Sequence, residues 1–250
     1  MRIRAVVWLS ALAVLVATAC GEEESSTYCV GSDLDSTFDL TRCGDAVSAE
    51  DHVIDGPGSL KALAGITSID GSLTIEACGL TSLAGLEGLR CVSGDLIIHE
   101  NKALTSLDGL EGLLYVGGSL VIGGLDQGNP QLESTAALSK LEVIEASLWV
   151  EHNRKLATLG DFGSLGLIGG FLGVFDNDAL TSLPGWTALE RFGGFLNLAE
   201  NDRLPTCSAT RLRDRFPAEC RNICIRANKP DACPDDDAGC WYQGAAGGGS

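Results

Sequence analysis

The chain repeats a short pattern about every 24 residues, and this periodicity limits the folds open to it more than any other feature. The segment GGFLGVFDN begins at Gly169 and returns as GGFLNLAEN at Gly193. A period of this size is typical of a solenoid, in which each repeat forms one turn of a coil and packs mainly on its neighbours. Related copies, separated by 23, 24, 28, 24 and 24 residues, begin at Gly71, Gly94, Gly118, Ala146, Gly170 and Gly194.

Each copy opens with apolar residues at alternate positions, as in GDLIIH from Gly94. Alternation of period two indicates a β-strand with one buried face, and strands from successive turns of a coil pair in parallel. We therefore predict one strand per repeat, with a degenerate first repeat near His52. The predicted inward pairs are Leu73/Ile75, Leu96/Ile98, Leu120/Ile122, Leu148/Val150, Leu172/Val174 and Leu196/Leu198.

An asparagine follows the strand in five repeats, always three residues before a leucine. Stacked amides can satisfy backbone groups of the turns that would otherwise be buried without partners. In the first repeat Cys78 falls near the same place, where leucine-rich repeats use Asn or Cys, so we predict a buried free thiol. The predicted ladder consists of Asn101, Asn129, Asn153, Asn177 and Asn201.

The G-x-L-x-I strand, the asparagine and the following G-L-x-x-L-x-x-V segment together resemble the receptor L-domain, in the form found on bacterial lipoproteins. The resemblance covers about residues 44–215. It implies an all-β solenoid: a right-handed, leucine-rich-repeat-like parallel β-helix at 44–206, with disulfide-rich caps. Animal members of this family bind polypeptides, and many bacterial relatives have no assigned ligand. The chain departs from the pattern in a four-residue insertion, GLDQ or its neighbours, after Ile122, and in its cysteine-rich end.

The N-terminus has the pattern of an export signal. Arg2 and Arg4 precede an apolar run too short to span a bilayer, and the sequence ATAC then ends at Cys20. This resembles a lipoprotein signal: residues 1–19 are the predicted signal peptide, Cys20 the lipidated residue, and 20–43 a polar tether with an N-terminal cap. Ala17 stands where leucine is usual, and Ala17-Thr18-Ala19 also fits plain secretion. The predicted location is the envelope of a Gram-negative bacterium, at the outer membrane, with the lipid as the membrane contact.

The charge balance argues against partners rich in phosphate. Removal of residues 1–19 leaves 15 basic and 34 acidic residues, a net charge of −19. A surface this acidic repels the phosphate backbone, so we predict that the protein does not bind nucleic acid.

The ten cysteines predict disulfides, because an exported chain meets an oxidising environment. We expect Cys29 and Cys43 to staple the N-terminal end of the solenoid. At the other end, 207–224 reads as a helical cap with Ser208 as the N-cap, and 225–250 as an acidic, Gly-rich tail that contains cysteines. Disulfides account for these cysteines better than a zinc site does, and the PDDDAG segment lacks the spacing of a calcium loop. We predict neither a metal site nor a cofactor.

The outward positions of the predicted strands carry the sharpest functional signal. Large aromatic residues cluster on the fourth to sixth strands, beside Gly173, which leaves room for a ring. Each ring offers about 150–250 Å² of apolar surface, and exposed patches of this kind usually mark contact sites. The alternative is that the tail with Trp241 and Tyr242, or a second copy of the chain, covers the patch. The candidate ligand-binding residues are Ile97, His99, Val121, Trp149, Glu151, Phe171, Phe175 and Phe195.

Catalytic signals are weak by comparison. Glu76, Asp95 and His99 are predicted neighbours that could exchange protons, but an exposed ion pair explains them better. His52 and His152 sit beside turns with no matching partner in the pattern. We therefore predict a non-enzymatic, lipid-anchored envelope protein that recognises a protein or glycan through its outward strand face. The alternatives are an exported β-helix enzyme acting on a polysaccharide, and a structural envelope protein without a discrete ligand; the oligomeric state stays open.

Overall fold

A computed structural model of the 250-residue chain describes residues 38–76, 79–124, 128–193, 195–216, 222–226, 228 and 239–241. The predicted signal peptide, the tether up to residue 37 and most of the tail lie outside these residues, as do Cys20, Cys29 and the predicted free thiol of Cys78.

The described chain forms two parallel β-sheets to which it contributes strands alternately. One sheet has seven two-residue strands, paired in chain order. They are β1 (Val47–Ser48), β3 (Ser68–Ile69), β5 (Cys91–Val92), β7 (Tyr115–Val116), β9 (Val143–Ile144), β11 (Leu167–Ile168) and β13 (Arg191–Phe192).

The other sheet has nine strands and contains the predicted alternating segments. They are β2 (His52–Ile54), β4 (Leu73–Glu76), β6 (Leu96–His99), β8 (Leu120–Gly123), β10 (Leu148–Glu151), β12 (Phe171–Phe175), β14 (Phe195–Ala199), β15 (Asn222–Arg226) and β16 (Gly239–Trp241). All neighbours pair in parallel except β15 and β16, which are antiparallel. Each repeat thus gives one strand to each sheet, and the arrangement is solenoid-like, as predicted.

The strand register follows the alignment of the repeats. Leu120 pairs with Leu148 although 28 residues separate them, and Gly123 still pairs with Glu151. The predicted four-residue insertion therefore leaves the register intact and falls in the turn between β8 and Asn129. Residues 125–127 of this turn lie outside the described part of the chain.

The core lies between the sheets and consists mainly of the predicted apolar columns. The twelve inward side chains of the six full repeats are completely buried. The leucines that follow the strand, such as Leu104, Leu107 and Leu110, close the other sides of the core and are also fully buried. Trp186 takes the place of one such leucine and is fully buried, as its alignment predicts.

Buried asparagine side chains link the turns that follow the long strands. The Asn153 amide nitrogen donates to the Ile122 and Glu151 carbonyl oxygens at 2.9 Å each, and its Oδ1 accepts from the Asn129 backbone N–H at 3.1 Å. In each pair of successive turns, the Oδ1 atom of the later asparagine accepts a hydrogen bond from the backbone N–H of the earlier one. The bonds therefore run from turn to turn. The ladder comprises Asn101, Asn129, Asn153, Asn177 and Asn201, and continues to Asn228.

The N-terminal end is fixed by a disulfide that differs from the predicted staple. A 3₁₀-helix, Leu40–Cys43, precedes β1, and Cys43 is bonded to Cys91 of β5. Cys91 belongs to the first full repeat, so the bridge ties the N-terminal segment to the seven-stranded sheet. Cys207 and Cys224 are each disulfide-bonded as well.

The C-terminal end contains the predicted helix but not its predicted boundaries. The helix, α2 (Thr206–Asp214), begins after Pro205, so Ser208 lies inside it and is not the N-cap. Leu212 is buried, and Phe216 packs against Phe192 with ring centroids 4.9 Å apart. The chain then returns to the sheet as β15 and β16, which places 222–226 and 239–241 in strands, where the sequence predicted the end of the cap and a tail. The shorter helix α1 (Pro57–Ala62) follows β2.

Neither these helices nor any other helix in the described ranges combines the length and apolar character that a membrane crossing requires.

Candidate ligand-binding face

Four aromatic side chains meet on the outward side of β10, β12 and β14. The Trp149 ring centroid lies 6.0 Å from that of Phe171 and 6.2 Å from that of Phe175. Phe171 in turn meets Phe195 edge to face at 5.1 Å. We call Trp149, Phe171, Phe175 and Phe195 the aromatic face. Neighbouring parallel strands bring the rings together because their residues pair in register, as with Phe171 and Phe195.

Gly173 makes room for this arrangement. It pairs with Trp149 across β10 and β12, and a Cβ atom added at position 173 would collide with Cε3 and Cζ3 of the indole. The benzo edge of Trp149 therefore lies over the glycine, as the sequence predicts.

The aromatic face is partly open to solvent. Phe171 is 37% exposed, and the other three rings are half-buried, partly because they cover one another. A contiguous set of rings on the outward side of a sheet is an unusual surface for a soluble domain.

Two candidate residues are buried rather than exposed. Val121 and Glu151 are each only 2% exposed, whereas Ile97 and His99 are half-buried. Val121 lies in register between Ile97 and Trp149, whose larger side chains flank it. Period-two alternation fixes the side of the sheet to which a residue points, but the size of its neighbours decides whether solvent reaches it.

Glu151 has an unusual environment for a carboxyl group. It lies in register between Gly123 and Phe175, and its Oε2 atom has no hydrogen-bond partner. Burial raises the pKa of the Glu151 carboxyl to about 7, and the negative charge of Asp176 adds to the effect. A buried acceptor without a donor is rare in folded proteins and requires an explanation.

His152 has a partner that the sequence pattern did not reveal. Its Nε2 atom lies 2.8 Å from the Asp176 carboxylate of the next repeat, and its ring meets Phe175 edge on. Both residues adopt the left-handed conformation, with φ of 57° and 55°. Glu100 and Glu200 do the same in their repeats. All four residues directly precede a ladder asparagine, and this shared position is the sequence feature that could have indicated the left-handed turn.

His52 also has a partner. Its Nε2 atom lies 2.7 Å from the Ser48 hydroxyl.

The residues considered for proton transfer divide between two roles. His99 Nε2 lies 3.3 Å from Glu76 Oε2, and both side chains are partly exposed, which fits the exposed ion pair. Asp95 instead accepts the Ser119 backbone N–H at 2.7 Å and so supports the start of β8. The Asp95 side chain therefore bonds to the backbone of the next repeat, whereas Glu76 and His99 contact each other.

The N-terminal segment lies on the seven-stranded sheet, away from the aromatic face. Phe38 stacks on Tyr115 of β7 with centroids 4.9 Å apart, and Arg42 makes two hydrogen bonds to the Glu142 carboxylate. A shallow groove of about 410 Å³ runs beside this contact and reaches Leu167 and Arg191. Because Phe38 and Arg42 precede the repeats, no repeated pattern indicates this contact.

Within the described parts of the chain, no group of three or more His, Cys, Asp or Glu side chains is arranged to hold a metal ion. The chain matches no known protein family, no curated protein and no solved structure. Geometry and chemistry are therefore the basis for assigning a function.

Proposed function

We propose that this protein is a lipid-anchored, non-enzymatic component of the bacterial cell envelope that recognises a protein or glycan through the aromatic face. In this proposal the solenoid is a right-handed β-helix of the receptor L-domain kind, capped at both ends by disulfides. Cys20 carries the lipid, and the outer membrane is the site of attachment.

The observation that carries the proposal is the contiguous cluster of four rings on the outward side of three adjacent strands. Inward columns on the same strands already form the core, so the rings are not needed to fill it. Apolar surface gains roughly 25 cal/mol per Å² when it leaves water. A partner that covers the rings would be stabilised by this transfer, and aromatic rings can pack against protein side chains and the apolar faces of sugars.

The position of the N-terminal segment supports a free aromatic face. Phe38 and Arg42 rest on the seven-stranded sheet, and the Cys43–Cys91 bridge fixes the chain there. In this proposal the tether from Cys20 approaches that sheet, and the nine-stranded sheet is available to a partner.

The test is ligand capture by the tagged full chain in envelope extracts of the cells that make it. The double variant Trp149→Ser with Phe171→Ser should lose the partner that the wild type retains, while its melting temperature stays close to the wild-type value. Val53→Ser is the matched control, because Val53 lies on β2 at the far end of the same sheet and is 51% exposed. The control should capture normally. Normal capture by a well-folded double variant would disprove the proposal.

One further arm of the same experiment addresses the anchor. Cys20→Ser should move the protein from the membrane fraction into the soluble fraction, because the lipid cannot be attached without the thiol. Membrane association equal to that of the wild type would contradict lipidation at Cys20, without affecting the outcome for the aromatic face.

A further inference from the structure

Glu151 forms a polar centre within the aromatic face. It follows Trp149 by two residues on β10, so both side chains leave the same side of the sheet, and Phe175 is its partner in register on β12. The side chain is 2% exposed and its Oε2 atom lacks any donor. Glu151 therefore places an unpaired carboxyl oxygen on the same side of the sheet as the neighbouring rings of Trp149 and Phe175.

No cationic side chain among the described residues pairs with the Glu151 carboxyl group. His152 is the nearest candidate in sequence, but its Nε2 atom is engaged by Asp176. None of the ion pairs between described residues includes Glu151. Buried carboxylates in proteins are normally paired, and no described residue supplies the pairing group, which leaves this role open to a ligand.

We propose that Glu151, Trp149 and Phe175 bind a protonated primary amine of the ligand, with the carboxylate accepting its N–H groups and the rings facing its positive charge. An ammonium group supplies donors to the unpaired oxygen and is attracted to aromatic faces. The chain has a formal net charge of −17, which favours a cationic ligand over an anionic one. This inference rests on the proposed function and specifies which chemistry the aromatic face selects.

Without a ligand, a large share of the buried carboxyl is protonated at neutral pH, because burial raises its pKa to about 7. Binding of an ammonium group requires the ionised form, so the neighbouring side chains must move and the proton must leave. The Asp176 carboxylate of the next repeat acts on Glu151 through its negative charge, and His152 follows Glu151 directly in the chain with its Nε2 atom on Asp176. The His99–Glu76 pair lies further along the sheet. Amine binding should accordingly weaken as the pH falls below 7.

Two amine probes, each with a neutral counterpart, distinguish whether the ligand's primary amine belongs to a protein or to a glycan. Nα-acetyl-lysine methylamide represents a protein ligand, and N-acetyl-norleucine methylamide is its uncharged match. The glucosamine trimer represents an amino-sugar glycan, and the N-acetylglucosamine trimer is its uncharged match. Binding to the full chain is followed by the Trp149 indole N–H resonance in NMR titrations.

At least one amine should bind about tenfold or more tightly than its neutral counterpart, as expected for a hydrogen bond to a charged group. Glu151→Gln should abolish this preference while keeping the shape of the site. Glu100→Gln, an exposed change of the same kind in the turn after β6, should preserve it. The tighter amine identifies the source: the lysine probe indicates a protein ligand and the glucosamine trimer a glycan.

Affinity for the lysine probe, whose amine stays protonated across this range, should fall about tenfold from pH 8 to pH 6, in proportion to the ionised fraction of a group with a pKa near 7. The same dependence should disappear in Glu151→Gln. If it persists in that variant, a group other than Glu151 controls binding and the inference is wrong. Equal binding of amines and neutral counterparts, or no binding of either amine, would overturn it as well.

The outcomes separate this inference from the proposed function. If Glu151→Gln captures the natural partner as well as the wild type and the aromatic double variant does not, the face binds a ligand without an amine contact. If the amine probes behave as expected but the double variant still captures the partner, the proposed function is wrong and the amine site serves a different ligand.

Discussion

At the residue scale, the environment of Glu151 predicts how the free energy of unfolding depends on pH, whether or not a ligand binds. Its carboxyl pKa is about 7 in the folded protein against an ordinary value of 4.5. Between these two values the folded protein holds a proton that the unfolded chain releases, so the free energy of unfolding falls as the pH rises. The shift corresponds to a total of about 3 kcal/mol, fully lost above about pH 7.

Urea unfolding of the wild type and Glu151→Gln from pH 4.5 to pH 8.5 measures this contribution. The wild type should lose stability relative to the variant as the pH rises to 7, and the difference should then level off. Because all other titrating groups are common to both proteins, they cancel in the comparison. A stability difference that does not change with pH would show that Glu151 is not held in a costly environment.

Residues on and beside the aromatic face show which structural properties the sequence alone can predict. Alternation correctly predicts that Trp149, Phe171 and Phe195 share one side of the sheet, because side-chain direction along a strand is a local property. Exposure is not local, and the burial of Val121 depends on the sizes of residues 24 and 28 positions away. The His152–Asp176 contact was missed for the same reason, since it joins the turns of two different repeats.

At the element scale, the asparagine ladder joins each turn to the next. Asn153 is fully buried and bonds to both neighbouring turns and to two strand carbonyl groups. Asn153→Ala should destabilise the fold by about 1–3 kcal/mol for each backbone group left unsatisfied. Arg154→Ala, an exposed change one residue later, should stay within about 0.5 kcal/mol of the wild type. Thermal or urea unfolding of both variants measures the difference, and equal stabilities would contradict the ladder.

The long strands were predictable because six repeats supply the same pattern independently. The two-residue strands of the seven-stranded sheet were not predictable, because so short a segment carries no periodicity of its own. Cys91 was not selected as a disulfide partner because it lies inside the repeats, and its partner Cys43 lies 48 residues away. The strands β15 and β16 follow the last repeat. β15 pairs with β14 at the edge of the sheet and β16 pairs with β15, and no repeated motif indicates either pairing.

At the scale of the whole molecule, the two sheets give the protein two different surfaces. The seven-stranded sheet receives the N-terminal segment through Phe38, Arg42 and the Cys43–Cys91 bridge. The nine-stranded sheet carries the aromatic face on β10, β12 and β14. In the proposed function, the first surface faces the anchor and the second faces the partner.

Site-specific photo-cross-linking tests this division most directly. A photoreactive phenylalanine analogue placed at position 171, where the natural ring is 37% exposed, leaves the neighbouring rings in place. The same analogue at position 53, on the far end of the same sheet, serves as the control. Irradiation of intact cells should give one discrete cross-linked product from position 171 and none from position 53. No product from either position, or the same products from both, would contradict the claim that the aromatic face is the surface on which this protein binds its partner.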